Sequence, residues 1–177
     1  MILVLDLDET LITDSGRCDK YGEASLKPIR VEYNRFWADD IYVRPYCKEF
    51  LVWANTHFEK VILCTFSTRD RVRIILRELG FKKYFNDVFT HEDISCLKLE
   101  LDDFVLVDDC SWNDDLLLDK LRFLGVEDLP KKIESVNVID YLQIPDVHVH
   151  IKRFVGDELD SELLRVKKVL KKALGIS

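Results

Sequence analysis

Three groups of polar residues, each following a short apolar run, have the types and spacing to form one reactive site. They are Asp6, Asp8 and Thr10 after residues 2–5, Thr65 and Ser67 after residues 61–64, and Asp108 and Asp109 after residues 104–107. Apolar runs of this length are typical of strands buried on both faces of a sheet. Because parallel strands deliver their C-terminal ends to one edge of the sheet, the three groups are predicted to converge on one crevice.

Four carboxylates in one crevice would repel one another unless a cation joined them. Mg²⁺ takes oxygen ligands, commonly carboxylates together with water and a phosphate oxygen, and is therefore the predicted partner of this cluster. Each group also has a simpler interpretation. An Asp-x-Asp pair can be a solvated loop, Asp108 and Asp109 can cap the following helix, and Thr65 can be a packed β-branched residue.

The remaining elements are predicted from the spacing of apolar residues. Short apolar strands alternating with helices predict a three-layer α/β fold with a mainly parallel sheet. An alternating stretch at residues 29–43 predicts a small β insertion after the first strand, whereas the polar residues 13–28 are interpreted as loop. Helices are predicted at about 45–57, 69–79, 114–124 and 157–174, and a further strand at 136–139.

Length and composition limit the class of protein. The 177 residues fit one domain spanning 1–177, and the formal net charge of -7 argues against general nucleic-acid binding. The five cysteines show no CxxC spacing, and no apolar run reaches the length of a membrane span. A soluble, intracellular protein of the cytoplasm or nucleus is the resulting expectation.

The order of these motifs resembles the haloacid-dehalogenase superfamily of phosphotransferases. The sequence is most similar to the branch of TFIIF-interacting and small C-terminal-domain phosphatases and Dullard-like (NLI-interacting factor) proteins. The resemblance rests on the Asp6-Leu-Asp-Glu-Thr-Leu11 motif after an apolar strand, on Thr65, on a lysine and on the Asp108-Asp109 pair. It spans nearly the whole chain and implies the Rossmann-like fold of that superfamily.

The resemblance implies a role for each residue of these motifs. Asp6 would attack phosphorus and form an aspartyl-phosphate, and Asp8 would serve as acid and then as base, with a pKa raised by the crowded carboxylates. Asp6, the main-chain carbonyl of Asp8 and Asp109 would hold Mg²⁺, with Asp108 close by. Thr65 would donate a hydrogen bond to the phosphoryl oxygens, and Thr10 would orient the loop.

The lysine of the site is assigned to Lys98, which lies upstream of the third predicted strand. Lys82 and Lys83 are the alternatives. Asp109 differs from the asparagine that is usual in this branch, although paired aspartates are common in the wider superfamily.

The expected activity is a Mg²⁺-dependent phosphatase acting on phosphoserine or phosphothreonine of a protein or peptide. Three alternatives remain at this point. They are a phosphatase for small molecules or nucleic-acid ends, a non-catalytic phosphate-binding scaffold, and a receiver-type signalling domain. In a receiver domain the acidic pair ends the first strand and the acceptor aspartate ends a later one. Here the Asp-x-Asp motif ends the first strand and the acidic pair comes later, so the order argues against a receiver.

Overall fold

The computed structural model describes residues 1–21, 24–96, 99, 101, 103–110, 114–126 and 148–176. Its elements in chain order are β1 Ile2–Leu5, β2 Ile12–Asp14, α1 Ser15–Tyr21, β3 Ile29–Asn34, β4 Trp37–Val43, α2 Cys47–His57, β5 Lys60–Cys64, α3 Arg69–Glu78, a 3-10 helix Lys82–Tyr84, β6 Asp87–Phe89, α4 His91–Ile94, β7 Phe104–Asp108, α5 Asp115–Phe123, β8 His148–His150 and α6 Glu162–Ala173. The strand predicted at 136–139 and the candidate Lys98 lie outside the described residues.

The central sheet has five parallel strands in the order β6-β5-β1-β7-β8. Leu5 at the end of β1 is in register with Leu63 of β5 on one side and with Val107 of β7 on the other. The strand order reverses direction at β1, and ligands of open α/β sheets bind at such a reversal. The residues that follow β1 therefore lie where this fold forms its crevice.

Alternating side chains of the sheet pack against helices on both faces. Leu3 and Leu5 share a core with α2, α3 and α6, whereas Val4 packs on the other face with residues of α4 and α5. All three strand residues are fully buried, as expected for a parallel strand covered on both faces. The predicted three-layer α/β fold is confirmed.

A small antiparallel sheet with the order β2-β4-β3 lies beside the main sheet. Its β3–β4 hairpin confirms the β insertion predicted at residues 29–43. The prediction of loop for residues 13–28 was wrong at its start, because Ile12–Asp14 forms β2 and Ser15–Tyr21 forms α1. β2 is three residues long and depends on pairing with β4, a tertiary contact that local composition does not reveal.

The segment between β8 and α6 runs over the loop that follows β1. The Phe154 amide donates to the Glu9 carbonyl (2.7 Å), which ties the two segments together. The final helix was predicted from residue 157 but begins at Glu162. Asp160, before it, accepts the Glu162 amide with its side chain (3.0 Å) and pairs with Arg44 (3.3 Å), so the chain turns here before becoming helical.

Arg44, immediately after β4, is buried at the junction of these segments. Its guanidinium donates to the carbonyl of Thr10 (2.8 Å) and to the carbonyl of Lys152, in addition to the Asp160 contact. A buried charge is costly unless it is paired and hydrogen-bonded, and Arg44 meets both conditions. It therefore fixes the loop after β1 relative to the segment before α6.

Candidate active site

The loop after β1 turns back on itself within a few residues. The Leu11 amide donates to the Leu7 carbonyl (2.9 Å), and Glu9 has a φ of 61°, in the left-handed region that side chains other than glycine rarely adopt. The turn holds Asp6 and Asp8 at the end of the strand, where they are only 4% and 8% exposed.

A cavity of about 410 Å³ opens at the C-terminal ends of β1, β5 and β7. Its walls include the predicted residues Asp6, Asp8, Thr65 and Asp109, and also the apolar side chains of Phe66 and Leu116. Asp108 is fully buried at the end of β7, and the Asp6 amide donates to the carbonyl of the preceding Val107 (3.0 Å). The structure thus brings the three polar groups of the sequence to one place.

Helix α5, which follows the acidic pair Asp108-Asp109 in the chain, is not capped by that pair. Its cap is Asp114, whose side chain accepts the Leu116 amide (2.9 Å).

The floor of the cavity consists of Asp6, Asp108 and Lys120. The Lys120 ammonium donates to Asp6 Oδ1 and to Asp108 Oδ2, both at 2.6 Å. Burial alone would lower the pKa of Lys120, but the two carboxylates outweigh burial and raise the pKa well above its usual value. Lys120 therefore remains charged and offsets part of the negative charge of the floor.

Lys120 was not among the lysines predicted from the sequence. Lys82 and Lys83 lie in the 3-10 helix, where Lys82 lines a separate cavity beside α3 and Lys83 lies 5.2 Å from the Tyr84 ring centroid. A signal for Lys120 was present in α5, since it occupies the same face as the buried Leu117 and Leu121. A lysine on the apolar face of a helix is seldom buried without a partner, and this position could have been recognised on that ground.

Thr65 follows β5 and lines the cavity beside the loop of β1. Its amide donates to the Phe89 carbonyl (3.0 Å), continuing the sheet by one residue. Its hydroxyl oxygen accepts the amide of Ser67 (3.2 Å). Since that bond uses a lone pair of the oxygen, the hydroxyl hydrogen remains available to a group in the cavity.

The pKa of Asp8 is shifted in the direction opposite to the one expected. A raised pKa was predicted for its role as an acid, and this was wrong. Burial does raise the pKa, but Arg71 and Arg17 together with the Ser67 hydroxyl outweigh burial and lower it. Arg71 donates to Asp8 Oδ1 (2.8 Å) and Ser67 donates to Asp8 Oδ2 (2.7 Å), so both oxygens of the carboxylate are stabilised in the ionised form.

The rim of the cavity is an alternating series of acidic and basic side chains. Its members are, in order, Asp8, Arg71, Asp14, Arg17, Glu9, Arg153 and Asp109. Successive members lie between 2.7 and 3.5 Å apart, measured from nitrogen to oxygen. Arg71 comes from α3, Arg17 from α1 and Arg153 from the segment before α6, so the rim joins three separate parts of the chain.

Asp109 lies where the rim meets the floor. Burial, together with the negative charges of Asp108 and Glu9, raises its pKa to about 7, although Arg153 acts in the opposite direction. Burial and three neighbouring aspartates likewise raise the pKa of Asp6, against the effect of Lys120. The site therefore carries more buried negative charge than its own cations neutralise.

These features agree with a comparison against known families. The sequence profile of a family described as NLI interacting factor-like phosphatase matches residues 1–177. The chain belongs to this family. The resemblance to NLI-interacting factor proteins that the acidic motifs indicated is thereby confirmed. A comparison with curated proteins finds no significant match.

Two solved structures show the same fold. Fcp1, an essential RNA polymerase II CTD phosphatase, aligns with a TM-score of 0.54 and 16% identity over 99% of this chain and 62% of its own. An uncharacterized protein from Listeria monocytogenes serotype 4b aligns with a TM-score of 0.56 and 15% identity over 99% of this chain and 98% of its own. The chain therefore spans less than two thirds of the Fcp1 chain, and the likeness concerns the fold alone.

The acidic residues of this NLI interacting factor-like site fit a hard divalent cation. Carboxylate oxygens of Asp108 and Asp109 and the sulfur of Cys110 can all lie within 4.8 Å of one another. Burial raises the pKa of Cys110, so the thiol stays protonated and only oxygen ligands remain. Oxygen ligands with uncompensated negative charge are the environment that Mg²⁺ prefers.

No helix among the described residues has the length and apolar character that a membrane crossing requires.

Proposed function

We propose that the chain hydrolyses phosphomonoesters through a phosphoryl group carried on Asp6. The observation that supports this most directly is the position of Asp6, which ends the central strand, faces the cavity and accepts a hydrogen bond from Lys120 (2.6 Å). A carboxylate becomes an effective nucleophile when it is ionised and aligned, and the buried ammonium group supports its ionised form. The same ammonium can neutralise charge on the phosphoryl oxygens.

In the first step an oxygen of Asp6 attacks phosphorus while the bond from phosphorus to the leaving oxygen breaks. Asp8 must first take up a proton, because Arg71 and the Ser67 hydroxyl favour its ionised form, and it then gives that proton to the leaving oxygen. Thr65 donates its hydroxyl hydrogen to a phosphoryl oxygen, because its own oxygen is already held by the Ser67 amide (3.2 Å). The products are an alcohol and an aspartyl-phosphate.

In the second step Asp8, now ionised, takes a proton from a water molecule. The water oxygen attacks phosphorus and the bond to Asp6 breaks, which releases inorganic phosphate and restores the carboxylate. The lowered pKa of Asp8 favours the ionised form, which is the form that a base requires, and Arg71 and Ser67 are two of its causes.

The residues that would hold Mg²⁺ are Asp6, Asp109 and the main-chain carbonyl of Asp8, with Asp108 next to them. When bound, Mg²⁺ would withdraw negative charge from the transferring phosphoryl group. The contribution of the chain is a set of oxygen ligands fixed by the ends of two adjacent strands. Lys120 contacts Asp6 through Oδ1, so Oδ2 remains for attack or for the cation.

The proposed substrates are phosphoserine and phosphothreonine residues of proteins. Fcp1, whose fold the chain shares, is an RNA polymerase II CTD phosphatase. The cavity also has an apolar wall formed by Phe66 and Leu116, and Leu116 is 47% exposed. Such a wall suits the side chains of residues that flank a phosphorylated position.

The nucleophile is tested by the Asp6→Asn variant, which keeps the shape of the side chain but removes its charge. We expect Mg²⁺-dependent release of phosphate from an aryl phosphate by the wild type, and a loss of more than about 1,000-fold in the variant. Mass spectrometry of acid-quenched wild type should show one added phosphoryl group that is absent from the variant. Asp119→Asn, an exposed aspartate on α5, is the matched control.

Full activity in Asp6→Asn would contradict the proposal, and a folded wild type without turnover would instead indicate a phosphate-binding scaffold. The substrate class is tested by comparing kcat/KM for phosphoserine and phosphothreonine peptides with that for sugar phosphates, nucleotides and 3'-phosphorylated oligonucleotides. Turnover of any of the latter orders of magnitude faster than every peptide would exclude the protein-phosphatase assignment.

A further inference from the structure

The two oxygens of the Asp8 carboxylate are held by two different donors. Arg71 Nη1 donates to Oδ1 (2.8 Å), and the Ser67 hydroxyl donates to Oδ2 (2.7 Å). The same Arg71 nitrogen lies 2.6 Å from the Ser67 oxygen and donates to it as well. Since arginine has no acceptor, the Ser67 hydrogen must point away from Arg71, and it points to Asp8.

Arg71 is itself fixed from the opposite side. Its second terminal nitrogen, Nη2, donates to Asp14 Oδ2 (3.2 Å) at the end of β2. The side chains of Arg71 and Asp8 are each only 10% exposed, and that of Asp14 is 18% exposed. A planar guanidinium held by two carboxylates and a hydroxyl has little freedom to rotate, so the orientation of Asp8 is imposed by α3 and β2.

We propose that Arg71 and Ser67 are positioning residues that orient the Asp8 carboxylate for proton transfer. The inference rests on the proposed function, because it takes Asp8 as the group that transfers the proton. It goes beyond that function in assigning two residues outside the motif of β1 to the acid–base step. Neither residue needs to contact the transferring phosphoryl group.

The proposal predicts that the loss of activity in variants of Arg71 and Ser67 depends on the leaving group of the substrate. With phosphoserine, the departing alkoxide must receive the Asp8 proton as the bond to phosphorus breaks. With 2,4-dinitrophenyl phosphate, the departing phenolate is stable and leaves without that proton. Hydrolysis of the aspartyl-phosphate requires Asp8 as a base for both substrates, because the intermediate is the same.

The experiment measures kcat and kcat/KM for a phosphoserine peptide and for 2,4-dinitrophenyl phosphate in saturating Mg²⁺. For Arg71→Gln we expect kcat/KM to fall about 100-fold with the peptide, a loss within the range that general acid catalysis supplies. With the dinitrophenyl ester it should fall less than about 3-fold, because that leaving group needs no proton. For the dinitrophenyl ester, kcat should fall although kcat/KM is preserved. Asp8→Asn should give the same pattern, and Ser67→Ala a weaker version of it, about 10-fold with the peptide.

Arg73→Gln is the matched control, because it lies on the same helix, is 72% exposed and pairs with Asp70 instead. It should leave all four constants unchanged. A merely structural role of Arg71 would lower kcat/KM for both substrates by the same factor, and this result, or no loss for either, overturns the proposal. If thermal melting shows that Arg71→Gln does not fold, Ser67→Ala decides the question by the same criteria, since it removes one hydroxyl group.

The wild type and Asp6→Asn separate this proposal from the function on which it rests. Equal losses for the two substrates in Arg71→Gln, with Asp6→Asn inactive, overturn the positioning role and leave the proposed function in place. Hydrolysis that persists in Asp6→Asn overturns the proposed function, and the positioning role with it.

Discussion

On the floor of the cavity one lysine contacts two carboxylates, whereas on the rim three arginines alternate with four carboxylates. The floor is almost completely buried, with side-chain exposures of 3% for Lys120, 6% for Asp6 and 0% for Asp108. On the rim, Arg17 and Arg153 are 40% and 41% exposed, and Glu9 contacts both of them. The floor therefore depends on one cation, whereas the exposed part of the rim around Glu9 has two.

The difference follows from the environment of each charge. Removing one partner of a buried ion pair leaves an uncompensated charge in a medium of low polarity, which is strongly destabilising. Removing one partner of an exposed pair lets water replace it, and the loss is small. Substitutions in the two regions should therefore differ in their effect on stability as well as on activity.

The largest effect is expected for Lys120→Met, which leaves Asp6 and Asp108 without their shared cation. We expect the free energy of unfolding at pH 7, measured by urea denaturation without Mg²⁺, to fall by about 3–5 kcal/mol, and phosphatase activity to be lost. Lys83→Met, at an exposed position, should change stability by less than about 0.5 kcal/mol. A stable and active Lys120→Met variant would remove the distinction between floor and rim.

An intermediate effect is expected for Asp109→Asn in metal-free protein. The pKa of Asp109 is raised to about 7 in the folded protein, whereas a carboxyl group of an unfolded chain titrates near 4. The stability that this group contributes is therefore fully present below about pH 4 and is lost as the pH rises through 7. The loss is on the order of 4 kcal/mol, because each pKa unit corresponds to about 1.4 kcal/mol.

The asparagine variant cannot ionise, so its free energy of unfolding should be higher than that of the wild type at pH 8 and fall less between pH 5 and pH 8. Urea denaturation at several pH values measures this difference. Asp70→Asn, whose side chain is 88% exposed in the wild type, should follow the wild-type profile. Parallel profiles for Asp109→Asn and the wild type would show that Asp109 does not carry the excess charge.

The smallest effect is expected for Arg17→Gln on the rim. Glu9 keeps its contact with Arg153 (2.7 Å) and Asp14 keeps its contact with Arg71 (3.2 Å), so no carboxylate is left without a cation. The free energy of unfolding should fall by less than about 1 kcal/mol, similar to Arg30→Gln at an exposed pair on the small sheet. A loss of several kcal/mol would mean that the rim is as dependent on single residues as the floor.

The fold could be predicted from the sequence where the signal is local. The apolar runs before Asp6, Thr65 and Asp108 were sufficient to predict β1, β5 and β7, because strands buried on both faces are continuous in apolar residues. The start of α6 and the existence of β2 were missed. Both depend on partners far away in sequence, Arg44 for the turn before α6 and β4 for β2.

The residues of the candidate site that follow strands were predicted from the sequence, whereas its lysine and the pKa of Asp8 were not. Asp6, Asp8, Thr65 and Asp109 follow strands, and a parallel sheet brings strand ends together whatever the rest of the chain does. Lys120 reaches the floor from a helix, and its role depends on how that helix is rotated against the sheet. The lowered pKa of Asp8 could not be predicted either, because it depends on Arg71 and Arg17 from two other helices.

Arg44 gives the chain a particular order of assembly. The contacts that hold the loop after β1 and the floor in place join residues far apart in sequence: Arg44 and Lys152 are 108 positions apart, and Lys120 and Asp6 are 114 apart. Contacts over such separations form late in folding, since the loop between them must first be closed at an entropic cost. During synthesis, a nascent chain that has completed β1, β5 and β7 therefore still lacks the segment that Arg44 binds. The site becomes complete only when nearly all of the described chain has been made.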